Sequence, residues 1–187
     1  MISDAILQTF SFIPPLIVGL VSLLIIRHQG IDRKLTISVH AAQKPLTSLI
    51  LALTILICGT LYYLVIWLWI GPRYHIPFLN ILMIIAFLGM FTLALMPADS
   101  RRQLSARLHS SAGILLLGEM YIMAWLVVIS PYVTNIWVNV ISWVFLGFAT
   151  LLPIAMLTFH RLRQEALIME VAFVGLFYVL VIALTYT

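Results

Sequence analysis

Charge is scarce in this sequence. Only 9% of its 187 residues are Asp, Glu, Lys or Arg, against roughly 25% in an average soluble domain. A water-soluble fold of that length could not cover its surface with so few charges. Cysteine is nearly missing too. Cys58 stands alone inside an apolar run, which excludes an intrachain disulfide and any CxxC metal or redox pair. No Gly-rich phosphate loop, no Lys/Arg-rich tract, no HExxH or HxxxH spacing and no Asn-x-Ser/Thr acceptor occurs. These absences remove the usual signatures of nucleotide, nucleic-acid and zinc-hydrolase chemistry. The net charge of +4 is therefore no sign of nucleic-acid binding, because the basic residues fall in gaps between apolar runs. Alternating ten-residue segments, the mark of a membrane β-barrel, are absent as well.

What is present is apolar: 64% of residues are hydrophobic. The runs have the length of about 20 residues that a ~30 Å hydrocarbon core demands. The spacing predicts an all-α, polytopic membrane protein, a single domain over 1–187 built as a six-helix transmembrane bundle. The predicted spans are 6–26, 45–70, 77–96, 101–129, 133–159 and 164–186. Pro14-Pro15 predicts a kink or restart in the first span, and Pro153 a kink near the end of the fifth. Pro45 suits the first turn of the second span, and Gly71-Pro72 is expected to end it. Ser100 with Gln103 has capping-box spacing and places the start of the fourth span. The leader Met1-Ile2-Ser3-Asp4 is not basic and no small-x-small site follows Ile26, so the first span reads as a retained helix, not a signal peptide.

Orientation follows from charge. Arg27, Arg33, Lys34, Lys44, Arg101, Arg102, Arg107, Arg161 and Arg163 fall in loops 1, 3 and 5, and only Arg73 falls on the other side. The positive-inside rule then places those three loops in the cytoplasm, and both termini outside, in a cytoplasmic-type membrane. Trp67, Trp69, Tyr74, Trp125, Tyr132, Trp137 and Tyr186 form an aromatic belt at the outer interface. Loops 1 and 3 are expected to touch anionic lipid, and Arg73 and His75 to stand alone on the outer side. Ala106, Ser110 and Gly113 line up as a small-residue face suited to close helix packing.

Glu119 is the first candidate for chemistry. It lies in the middle of the fourth span, where a carboxylate costs several kcal/mol unless neutralised or paired. Asn135, Asn139 and Ser142 follow i, i+4, i+7 spacing on the next span. That stripe is expected to face the interior, with Asn139 or Ser142 hydrogen-bonded to Glu119. The bland alternative is a protonated glutamate serving as glue between helices.

A second constellation gathers toward the cytoplasmic side: His40, Asp99, His109, His160 and Glu170 share a depth band of roughly 10 Å at ~1.5 Å per helical residue. Such residues can ligate zinc, non-haem iron or haem, although their spacing is not that of a known site. A metal-free polar pocket and ordinary interfacial residues fit the same pattern, so no cofactor is favoured.

The run Met96-Pro97-Ala98-Asp99, followed by Leu108-His109-Ser110-Ser111-Ala112 at the opening of the next span, resembles a prokaryotic six-span family of unknown function, distantly akin to the DRAM and Sfk membrane proteins. The resemblance implies that Asp99 and His109 are singled out, the aspartate orienting the imidazole. It implies no reaction, and residues 36–42 depart from the pattern.

The sequence leads to a small membrane protein with a cytoplasm-side polar pocket. It would bind a lipid or small ligand, or act as a sensor or transport-related subunit. Its partners would be membrane lipids, another membrane protein or further copies of itself. Three rivals stand beside this reading. One is an intramembrane metal-dependent lipid hydrolase with His40, His109, His160 and Asp99 as ligands and Glu170 as base. The others are a b-type haem electron carrier and a proton-coupled transporter using Glu119.

Overall fold

The computed structural model describes residues 4–96, 98, 103–159, 162 and 164–187, and among these it is helical with no strand. Helix α1 covers Asp4–Gln29, short α2 Ile37–Ala42, and α3 Pro45–Val65. A π-helical turn, Ile66–Ile70, joins α3 without a break to α4, Gly71–Tyr74. Next come α5 (Leu79–Leu95), α6 (Gln103–Ile129), α7 (Ile136–Thr158) and α8 (Ala166–Thr185). Five of these elements are long and apolar enough to cross a bilayer: α1, the rod Pro45–Tyr74, α6, α7 and α8. The chain has the architecture of a multi-pass membrane protein.

Consecutive long helices pack against each other, and α8 closes back onto α1. Two sets of hydrogen bonds mark the two ends of the bundle. At one end Ser11 meets Thr185 (2.9 Å), the Tyr74 hydroxyl donates to the Leu184 carbonyl (3.1 Å), and the Ser130 hydroxyl donates to the Tyr74 carbonyl (2.9 Å). At the other end Gln29 donates to the Thr47 hydroxyl (3.1 Å), Leu167 N–H to the Arg33 carbonyl (3.1 Å), and His109 to the Met96 carbonyl (2.6 Å). The long elements therefore alternate in direction, which short connections between antiparallel neighbours require.

The surface is as greasy as the interior. Leu20, Leu23, Leu53, Ile84, Leu88, Ile114 and Leu157 are all exposed, whereas the core holds Phe145, Phe173 and Phe177 in edge-to-face and tilted contact at 5.0 and 5.8 Å. Lipid tails are as apolar as leucine, so burial alone cannot hold these helices together. Close packing and interhelical hydrogen bonds must do it.

Two expectations change here. Gly71-Pro72 does not end the second long element, which stays helical to Tyr74. Proline lacks the N–H for the i−4 bond and clashes with that carbonyl. The π turn before it widens the spiral and gives the ring room. The Gly71 N–H reaches back to the Ile66 carbonyl. Pro14-Pro15 and Pro153 lie inside α1 and α7, which continue through them. Last, the tight seam between α5 and α6 is not the Ala106/Ser110/Gly113 face, since Ser110 is exposed. It lies where Gly89 faces Ala112 and Leu116: a Cβ on Gly89 would stand 3.0 Å from Leu116 Cγ and 3.5 Å from the Ala112 carbonyl.

Candidate functional site

Glu119 is 2% exposed and lies in the third turn before the end of α6, facing α3 rather than α7. Its Oε2 accepts a hydrogen bond from the Tyr63 hydroxyl at 3.2 Å. Its Oε1 is buried with no hydrogen-bond partner, and the same holds for the hydroxyl of neighbouring Tyr62. Tyr62 is fixed edge-on by Tyr178 of α8 (ring centroids 4.9 Å), by Phe177 (6.4 Å) and by Tyr63 (6.3 Å). α3 and α6 thus meet at the carboxyl through Tyr63, and α8 packs against the adjoining phenol of α3 through Tyr178. Buried polar atoms left unpaired are rare in native folds, because each costs its desolvation without compensation.

The expected partners of Glu119 do not reach it. Ser142 is fully buried, but its hydroxyl donates to its own helix at the Val138 carbonyl (2.8 Å). The Asn139 amide donates to the Val133 carbonyl at 3.3 Å, and its Oδ1 is left unpaired. Asn135 caps α7 by accepting from Trp137 N–H at 2.9 Å. The polar stripe does face inward at Ser142, yet helical phase turns Glu119 toward the α3 rod. Intramembrane serine satisfies itself on the preceding turn, as hydroxyls in helices do.

Tyr62, Tyr63 and Tyr178 were not among the sequence candidates, although a signal existed. Glu119 stands eleven residues before Ser130, and Tyr63 stands eleven before Tyr74. Ser130 and Tyr74 are hydrogen-bonded and their helices run in the same direction. Equal counts back from that tie put Tyr63 and Glu119 at one depth.

At the basic end the polar residues are occupied with building the loop. His40 is fully buried, its Nδ1 donating to the Thr36 carbonyl (2.9 Å) and its Nε2 accepting from Asp32 N–H (3.3 Å). With both nitrogens engaged, the ring has no lone pair left for a metal or haem iron. Glu170 Oε2 accepts from Ile37 N–H at 2.7 Å and so satisfies the first turn of α2. Arg33 pairs with Glu165 at 3.8 Å and binds Leu167 N–H through its carbonyl. The first loop is thereby folded flat against the start of α8.

His109 lines a small cavity with Ser38, Ser48 and Leu93, about 20 Å³ in size, which is room for one water molecule and not for a larger ligand. Among the described residues, no three His, Cys, Asp or Glu side chains come together as a metal site. Asp99 and His160 lie outside the described residues, and with them the Asp99–His109 pair and the remainder of the metal set. At the far end Arg73 and His75 are not alone: the guanidinium lies over the Trp69 and Tyr74 rings at 5.2 and 5.8 Å, and the His75 ring packs on Tyr132 at 4.5 Å.

No protein-family model matches this chain, and no curated protein or solved structure is significantly similar to it, so the functional reading rests on the residues themselves.

Proposed function

We propose that this is a six-span membrane protein coupled to protons through Glu119. The observation that carries the reading is the buried carboxyl with one phenol partner and one bare oxygen. An isolated carboxylate in such surroundings costs several kcal/mol, and a single neutral hydrogen bond offsets only about 0.5–1.5 kcal/mol of it. No cation is recorded beside it among the described residues; its one recorded partner is Tyr63. In the closed bundle Glu119 therefore holds a proton, and it releases that proton when α3, α6 and α8 part enough to admit water. Such a group ties the packing of three helices to proton uptake, which is the elementary step of a proton-coupled transporter or a membrane pH sensor.

Infrared titration of the detergent-solubilised chain tests this. We expect a buried carboxylic-acid carbonyl band at neutral pH that is missing from Glu119→Gln. A band unchanged in Glu119→Gln, or no buried acid band in the native chain, overturns the proposal.

The sixth crossing would be α5. Its 17 residues rise about 25 Å at 1.5 Å each, within the lower range of spanning helices. The basic loops would be cytoplasmic and residues 4 and 187 would lie outside, as the charge asymmetry argues. Single cysteines at positions 34 and 73, in a Cys58→Ala background, are expected to react with a membrane-impermeant maleimide from opposite sides. Labelling from the same side would remove this topology.

A further inference from the structure

A groove of about 500 Å³ opens at the Arg73 end of the bundle, between the π turn and the start of α5. That is the size of a small-molecule pocket. It is walled by Trp67, Pro72, His75, Phe78, Leu79 and Asn80. Two contacts brace the wall. The Trp67 indole N–H donates to Asn80 Oδ1 at 2.8 Å, and the His75 ring rests on Tyr132 at 4.5 Å.

The backbone is bent to make it. His75 (φ 47°) and Phe78 (φ 57°) are both in the left-handed region, which is uncommon for histidine and an outlier for a residue as bulky as phenylalanine. The result is a phenylalanine ring that is 73% exposed at the groove's lip. Backbone outliers of this kind persist where the surroundings enforce them and cluster at ligand clamps.

The groove does not end at the rim. Its lining includes Ile81, and beyond Ile81 the exposed face of α5 continues through Ile84 and Leu88. The cleft is thus a polar-edged head on an aliphatic track running along a membrane-crossing helix. That track lies in the direction an acyl chain takes in a bilayer. A water-soluble ligand would have no use for it, whereas one lipid molecule fits both parts.

We propose that this groove holds a single phospholipid. One acyl chain lies along Phe78, Ile81 and Ile84. The ester and phosphate oxygens sit at the His75 ring and the Asn80 amide, whose Oδ1 is taken by Trp67 and whose N–H₂ is thereby offered as donor. The proposal rests on the reading of α5 as the sixth crossing. It does not depend on what Glu119 does.

The test is native mass spectrometry of the full chain, delipidated in detergent and then given palmitoyl-oleoyl phosphatidylcholine. We expect one lipid per chain retained at collision energies that strip the rest. Ile81→Trp, which fills the track, and the double variant H75A/N80A should each lower that retained fraction about fivefold, equivalent to roughly 1 kcal/mol of binding. Ile122→Trp, on the exposed face of α6, and Glu119→Gln should leave it unchanged. No retained lipid in the native chain, or equal retention in the groove variants and Ile122→Trp, overturns the proposal. Loss in Glu119→Gln would also count against it, since retention would then follow the bundle's packing and not the groove.

Discussion

Glu119→Leu is expected to destabilise the protein by about 1–3 kcal/mol, the cost of stranding a buried hydroxyl, because it leaves Tyr63 without its acceptor inside the bundle. Glu119→Gln should cost much less, since the amide oxygen still accepts from the phenol. The informative variant is the double one. Tyr63→Phe with Glu119→Leu removes both polar partners at once, and replacing both members of a buried pair by apolar groups is often close to neutral. The double variant should therefore recover most of the stability lost in Glu119→Leu alone, a coupling that thermal unfolding in detergent would measure as a double-mutant cycle. If the two single effects simply add, the hydrogen bond contributes nothing and the carboxyl is not held as described. A stable but proton-insensitive double variant would separate the structural role of the pair from its function.

Gly71→Val should cost a comparable amount, about 1–3 kcal/mol, by overpacking. A Cβ at Gly71 runs directly into the Leu79 side chain and stands 3.3 Å from the Ile66 carbonyl. Leu79 is itself buried, so it has little room to retreat. Shortening it in the pair Gly71→Val/Leu79→Ala is expected to restore part of the loss. Gly118→Ala and Gly147→Ala have no heavy atom near the added carbon, so they should be neutral or slightly stabilising in a helix. A wild-type unfolding temperature in Gly71→Val would mean that the rod does not pass so close beneath α5. Gly59 is a milder version of the same constraint, because its added carbon would meet the flexible Met90 sulfur.

The sequence located the polar residues well but not their partners. Glu119 was singled out because one carboxyl in a 20-residue apolar run is conspicuous in one dimension. Its pairing with Tyr63 spans 56 positions, and no local pattern announces which way a helix is turned about its own axis. The Asn139/Ser142 assignment failed at that rotation: α6 and α7 are neighbours and Ser142 is buried, but Glu119 turns to α3. His40 reads as a ligand and Glu170 as a base because their residue types permit it. The fold shows each already engaged with backbone, one closing the Asp32–His40 loop and the other capping α2. The groove beside Trp67 was invisible, since it depends on two left-handed residues that are not glycine and on a π turn that carries the chain through Gly71-Pro72.

What the sequence alone determined is therefore the class of solvent and the spacing of helices within it. Long apolar runs, few charges and basic residues confined to the gaps leave a chain no stable option but helices in lipid, because hydrocarbon forbids an unpaired backbone. What only tertiary structure decided is the azimuth of each helix. That choice is made by side-chain packing between elements distant in sequence: a leucine over a glycine, a phenol against a carboxyl. Those contacts determine which of the few polar atoms meet and which, Glu119 Oε1 and the Tyr62 hydroxyl among them, are left without a partner in the core.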